Sequence, residues 1–149
     1  MSGRIEVRRK GAGYGLFALK QFQPKELLFT FEQSFVSKPT NKTLRVDLDL
    51  HQLSTNPDLP ENFLNHSCDP TAYIGWSALE LRAMRNISID EEITYNYLTS
   101  DWDGEDIFDC LCAARACKGR IAGFKKLSEK EREMLKPYLS PFLLKNFLN

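Results

Sequence analysis

The stretch Asn65-His66-Ser67-Cys68-Asp69-Pro70 decides how this chain is read. It puts an amide, an imidazole and a thiol within four residues of a turn-forming run that ends in proline. A lone histidine is more often a satisfied structural group than a ligand. Here it stands between an asparagine and a cysteine, so the run is read together with what lies around it. Downstream, Glu91-Glu92-Ile93-Thr94-Tyr95-Asn96-Tyr97 has the pattern of a strand, and a period of two puts Tyr95 and Tyr97 on one face. Taken alone, those rings serve equally well as core aromatics. Upstream, Gly11, Gly13 and Gly15 let the backbone approach a ligand closely. The helix that a dinucleotide-binding glycine loop needs does not follow them.

Cys68 has three companions. Cys110, Cys112 and Cys117 form C-x-C-x4-C, and the chain holds four cysteines in all. Three thiolates on one short loop make most of a tetrahedral shell, and Cys68 from a distant segment would close an all-cysteine zinc site. Lys118 and Arg120 beside the loop offset its negative charge. The chain is 149 residues long, 42% hydrophobic and 27% charged, the size and balance of one globular domain that needs no disulfides. Twenty basic and twenty acidic residues cancel, which argues against direct binding of nucleic acid through a strong positive field. The start, MSGRIEVRRKG, lacks a signal-peptide core, and no apolar run is long enough for a membrane. The expected location is intracellular: cytoplasmic, or nuclear in a eukaryote.

Short strand candidates fall at residues 4–9, 26–33, 79–84 and 92–97. A further strand is expected where Leu44, Val46, Leu48 and Leu50 alternate with polar residues. Glycine and proline punctuate them, so the body is expected to be mostly β. The end differs. Ser128 and Glu131 form a capping box for a helix running to about Lys136, stopped by Pro137. Ser140 and Pro141 open a second helix carrying Phe142, Leu143, Leu144, Phe147 and Leu148, a face expected to cover core or to pair two copies in a homodimer.

Together these pieces resemble the SET domain family of lysine methyltransferases over residues 3–119. The resemblance rests on the glycine turn GAGYG, on NHSCDP, on EEITYNY and on the post-SET run CLCAARACKG, in the family's order. It implies a minimal SET domain at residues 1–109 and a zinc loop at 110–120, with a helical extension at 121–149. It also implies small curved sheets in which the NHSC and tyrosine segments cross as a pseudoknot. The implied activity is S-adenosylmethionine-dependent N-methylation of a protein lysine, a histone being one such acceptor, with mono- or dimethylation favoured by Tyr95. By the same resemblance Gly13, Tyr14, Gly15, Asn65 and His66 hold the cofactor, and Tyr97 acts at the transfer point. Leu111 meets the adenine, and Cys68, Cys110, Cys112 and Cys117 hold structural zinc. Thr71, Asp90 and Asn96 depart from the family's frequent residues. Two other readings stay open, a methyltransferase for a non-histone protein or small amine, and a catalytically silent zinc-stabilised binding module.

Overall fold

A computed structural model describes residues 3–104, 107–115 and 117–147. Strands β1 (Ile5–Lys10) and β2 (Gly13–Ala18) form a hairpin whose two-residue loop begins at Gly11. Gly11 has φ +58°, the left-handed value that a tight hairpin turn needs at its first central residue. The strands β3 (Leu27–Thr30), β8 (Ala72–Gly75) and β9 (Glu80–Ala83) make a second sheet in the order β3-β9-β8. Their alternate residues Leu28, Ala72, Ile74, Leu81 and Ala83 are buried and enter the main core with Leu16, Phe22 and Ile93.

The expected strand over Leu44, Val46, Leu48 and Leu50 is instead a hairpin. β5 (Leu44–Asp47) turns at Leu48 and Asp49 into β6 (Leu50–Gln52), which also pairs with β4 (Phe35–Val36). The Asp47 side chain accepts the Leu48 N–H at 2.9 Å and shapes the turn. Leu44 and Val46 are buried, whereas Leu48 and Leu50 lie at the surface. Alternation runs through a two-residue turn unbroken, so it did not mark the reversal.

The two signature segments, expected to cross, lie side by side as paired strands. β7 (Asn65–His66) lies parallel to β10 (Glu92–Tyr95), with Asn65 opposite Thr94 and His66 opposite Tyr95. β10 also pairs with β2, giving the sheet order β1-β2-β10-β7. This one sheet joins the glycine turn, the Asn-His pair and the tyrosine segment.

Past the small hairpin of β11 (Phe108–Asp109) and β12 (Arg120–Ile121) the chain turns helical. The capping box at Ser128 and Glu131 forms as expected and starts α1 (Glu129–Leu135). Ser140 caps α2 (Pro141–Asn146) by accepting the Leu143 N–H. Phe142 and Leu143 are buried against Phe124 and Leu139, which matches the expectation of a core-covering face and leaves Leu144 outside. Leu148 lies beyond the described residues. Among them, no helix is long and apolar enough to cross a membrane.

Candidate active site and metal centre

β10 ends at Tyr95, and Tyr97 begins a 3-10 turn (Tyr97–Thr99). The two tyrosines therefore do not project from one strand as expected. Asn96 ends the strand. Its side chain accepts the Leu98 N–H at 3.0 Å and caps the turn. The rings still meet, with centroids 5.0 Å apart. The Tyr97 hydroxyl donates to the Leu64 carbonyl at 2.7 Å, and the Tyr97 N–H donates to His66 Nδ1 at 3.0 Å. Both bonds tie the tyrosine turn to the segment entering β7.

That bond fixes the state of His66. Burial pushes its imidazole down to about 4, so the ring is neutral. With Nδ1 accepting, the hydrogen-bond network puts the ring proton on Nε2, which faces the Cys68 sulfur at 3.4 Å. Phe108 packs edge-on against both His66 and Tyr97.

On the other side of β10, Asn65 Nδ2 donates to the Tyr14 carbonyl at 2.7 Å and to Glu92 Oε2 at 3.0 Å. A Cβ on Gly15 would come within 2.7 Å of that same Glu92 oxygen, so glycine is needed there for close approach. Gly13, Tyr14, Gly15, Asn65 and Glu92 thus form one group, with Lys10 paired to Glu92 at its edge. Thr71 and Thr94 stitch the floor, each meeting the other's backbone N–H with a hydroxyl.

The four cysteines converge. Their sulfurs all lie within 4.8 Å of one another, and Cys68 and Cys110 are 3.9 Å apart. Four ligands about 2.3 Å from a tetrahedral centre sit about 3.8 Å from each other, so the set fits a metal. The Lys118 N–H points at Cys68 and the Gly119 N–H at Cys117, the donors that bound thiolates use. Burial raises the Cys68 thiol and pushes Cys110 up to about 12. Burial also opposes ionisation of Cys112, but backbone hydrogen bonds at Ala114 and Cys68 and bonds with its neighbouring thiols outweigh it and bring Cys112 to about 6. Cys68 and Cys110 therefore resist ionisation, a resistance that a divalent cation removes.

Beside the tyrosines lies a cleft of about 500 Å³, lined by Arg45, Leu64, Tyr95, Tyr97, Asp101 and Trp102 among others. Leu111, the expected adenine contact, is 91% exposed on the cysteine loop. Sequence reasoning missed Glu92, Phe108 and Trp102. Glu92 sits inside a quoted motif, but only the fold shows its carboxylate over Gly15.

A model of the SET domain matches residues 13–98. The chain belongs to the SET domain family. A methyltransferase of Aspergillus flavus, flvH, is 33% identical over 85 residues, covering 54% of this chain and 48% of that protein. A histone-lysine N-methyltransferase, H3 lysine-4 specific, of Emericella nidulans is 44% identical over 64 residues, 38% of this chain and 5% of that protein. Histone-lysine N-methyltransferase set-2 of Caenorhabditis elegans is 27% identical over 136 residues, 77% of this chain and 9% of that protein. This chain thus spans about half of the first relative and a small fraction of the others. The crystal structure of Kryptonite in complex with mCHG DNA and SAH superposes with a TM-score of 0.67, at 20% identity over 80% of this chain and 29% of that chain. Kryptonite in complex with mCHH DNA, H3(1-15) peptide and SAH gives 0.57 at 21% identity, over 78% of this chain and 29% of that one. These likenesses show a shared fold.

Proposed function

We propose that this SET domain transfers methyl groups from S-adenosylmethionine to a lysine ε-amine of a protein, with histones as the first acceptors to test. The observation that carries the reading is the parallel pairing of β7 with β10. It sets Asn65 where its side chain reaches across β10 to the glycine turn, and Tyr95 and Tyr97 line a cleft at the end of that strand. SAH in the two superposed complexes, and an H3 peptide in one of them, support cofactor and acceptor class. The relatives' names support the same activity.

S-adenosylmethionine, when bound, supplies an electrophilic methyl group on a sulfonium centre. The acceptor amine must arrive neutral, yet only about one free lysine in a few thousand is neutral at pH 7. Desolvation in the site and the nearby positive sulfonium would disfavour the ammonium, which lowers the acceptor's pKa without a strong general base, while Tyr95 and Tyr97 line its path. The Leu64 carbonyl and the Tyr97 hydroxyl, held together at 2.7 Å, orient the amine and fix the transfer point. Tyr95 occupies space where further methyl groups would sit, so we read the product as mainly mono- or dimethyl-lysine. Gly13, Tyr14, Gly15, Asn65 and His66 would hold the cofactor, and Leu111 would meet its adenine. Cys68, Cys110, Cys112 and Cys117 hold one zinc ion, which is structural because four thiolates leave no open position. A histone acceptor places this work in the nucleus of a eukaryote.

Calorimetric titration with S-adenosylmethionine, followed by radiolabelled methyl transfer to core histones, other proteins and small amines, tests the reading. Turnover on protein lysine supports it. Turnover on small amines alone supports the second reading, and no turnover on any amine supports a silent zinc-stabilised module.

A further inference from the structure

The matched family segment ends at residue 98, and residues 121–147 are not absorbed by the function proposed above. They fold back onto two parts of the cleft lining. One is β5, whose Leu44 and Arg45 line the cleft. α2 lies on β5. The Phe142 ring sits under the Arg45 guanidinium at 4.5 Å, and Lys145 Nζ meets Asp47 Oδ2 at 2.6 Å. A second part of the lining is Ser100, Asp101 and Trp102. The Phe147 ring stacks on Trp102 at 3.7 Å and an interplanar angle of 4°. The Phe124 N–H donates to the Asp101 carbonyl at 2.7 Å, the Lys125 N–H to the Trp102 carbonyl at 2.9 Å, and the Ser140 N–H to the Thr99 carbonyl at 2.9 Å.

α2 and Phe147, the residue just past its end, therefore touch two parts of the cleft lining that are far apart in sequence. Its contacts are of the kind that fix geometry: a flat aromatic stack, a cation over a ring, and an ion pair at the helix end. The strands expected to carry the cofactor, β2 and β7, pair with β1 and β10 instead. A change in α2 should move the acceptor side and leave the cofactor side in place. A shift of about 1 Å in positioning groups can cost about a hundredfold in turnover, so such a wall matters to selection of the acceptor.

We infer that the C-terminal segment is a clamp that sets the width of the acceptor cleft. Phe147, Phe142 and Lys145 act in it as positioning residues that govern acceptor affinity rather than cofactor binding. The inference rests on the methyltransferase reading above.

The test is radiolabelled methyl transfer to core histones at saturating S-adenosylmethionine, with cofactor affinity measured separately by calorimetry. Phe147→Ala should raise the KM for histone about tenfold, with the cofactor Kd within about twofold, and Phe147→Tyr should restore the wild-type KM. Should Phe147→Ala not fold, Lys145→Glu at the surface should raise the same KM, and adding Asp47→Lys should bring it back. That rescue by exchanged charge would not follow from general loosening of the fold. A wild-type KM in Phe147→Ala or in Lys145→Glu, or an equal loss of cofactor affinity, overturns the clamp. A wild type that methylates no protein lysine, in core histones or in a cell extract, overturns the underlying reading and the clamp with it, and is told apart because it precedes any substitution.

Discussion

Removing one oxygen, in Tyr97→Phe, separates a catalytic tyrosine from a merely aromatic one. The hydroxyl donates to the Leu64 carbonyl at 2.7 Å, in a half-buried position beside the cleft. Leaving such a carbonyl without its donor costs about 1–3 kcal/mol. Each 1.4 kcal/mol of transition-state stabilisation is worth about tenfold in rate. If the bond is needed at the transfer point, the rate should fall by about tenfold to a hundredfold, with loss of alignment adding to that. Folding should suffer little, because the ring keeps its contacts with Tyr95, His66 and Phe108. For a domain of this size 1 kcal/mol moves Tm by about 2–4 °C, so the melting temperature should drop by about 2–12 °C and the protein should stay folded at the assay temperature. Single-turnover methyl transfer to histone, run beside a thermal melt, gives both numbers. Tyr95→Phe is the control: turnover largely kept, with products shifted toward higher methylation. Full activity in Tyr97→Phe, or trimethyl-lysine already dominant in wild type, would refute the assignment of roles.

Elemental analysis should find one zinc per chain, and Cys112→Ser should lower that ratio and weaken cofactor binding. Asn65→Ala should weaken S-adenosylmethionine binding about tenfold by calorimetry, because the amide that joins Tyr14 to Glu92 is lost. Gly15→Ala should act in the same direction, since its methyl group would displace the Glu92 carboxylate. His51 is 1% exposed, and burial foremost, then the nearby Arg45 charge, holds its pKa below the ordinary 6.5. The unfolded chain then takes up this proton more readily than the folded one, so stability should fall as pH drops below about 6.5. Denaturant midpoints between pH 7.5 and 5.5 should show that slope, to which His66, held at about 4, also contributes, and His51→Leu should reduce it without removing it.

Local chemistry was legible wherever one short segment held both partners. The Ser128 and Glu131 capping box and the Ser140 cap lie within three residues of what they bond, and both formed as read. The cysteine cluster was legible because three of its members share a loop and no fourth candidate competed with Cys68. Motif order carried the family and, through it, the meeting of the Asn-His and tyrosine segments. Periodicity failed at two places for physical reasons. Alternation passes through the Leu48-Asp49 turn without a break, and the Asn96 side chain ends β10 before Tyr97. Glu92, Phe108, Trp102 and the bridging role of Phe147 were hidden because their partners lie far away in sequence.

The central claim is that this SET domain methylates protein lysine, and mass spectrometry of core histones incubated with S-adenosylmethionine tests it most directly. Wild-type protein should yield mono- and dimethyl-lysine at defined positions, and Tyr97→Phe should yield far less in the same time. Protein that binds the cofactor yet leaves every lysine of histones and of a cell extract unmethylated would contradict the account.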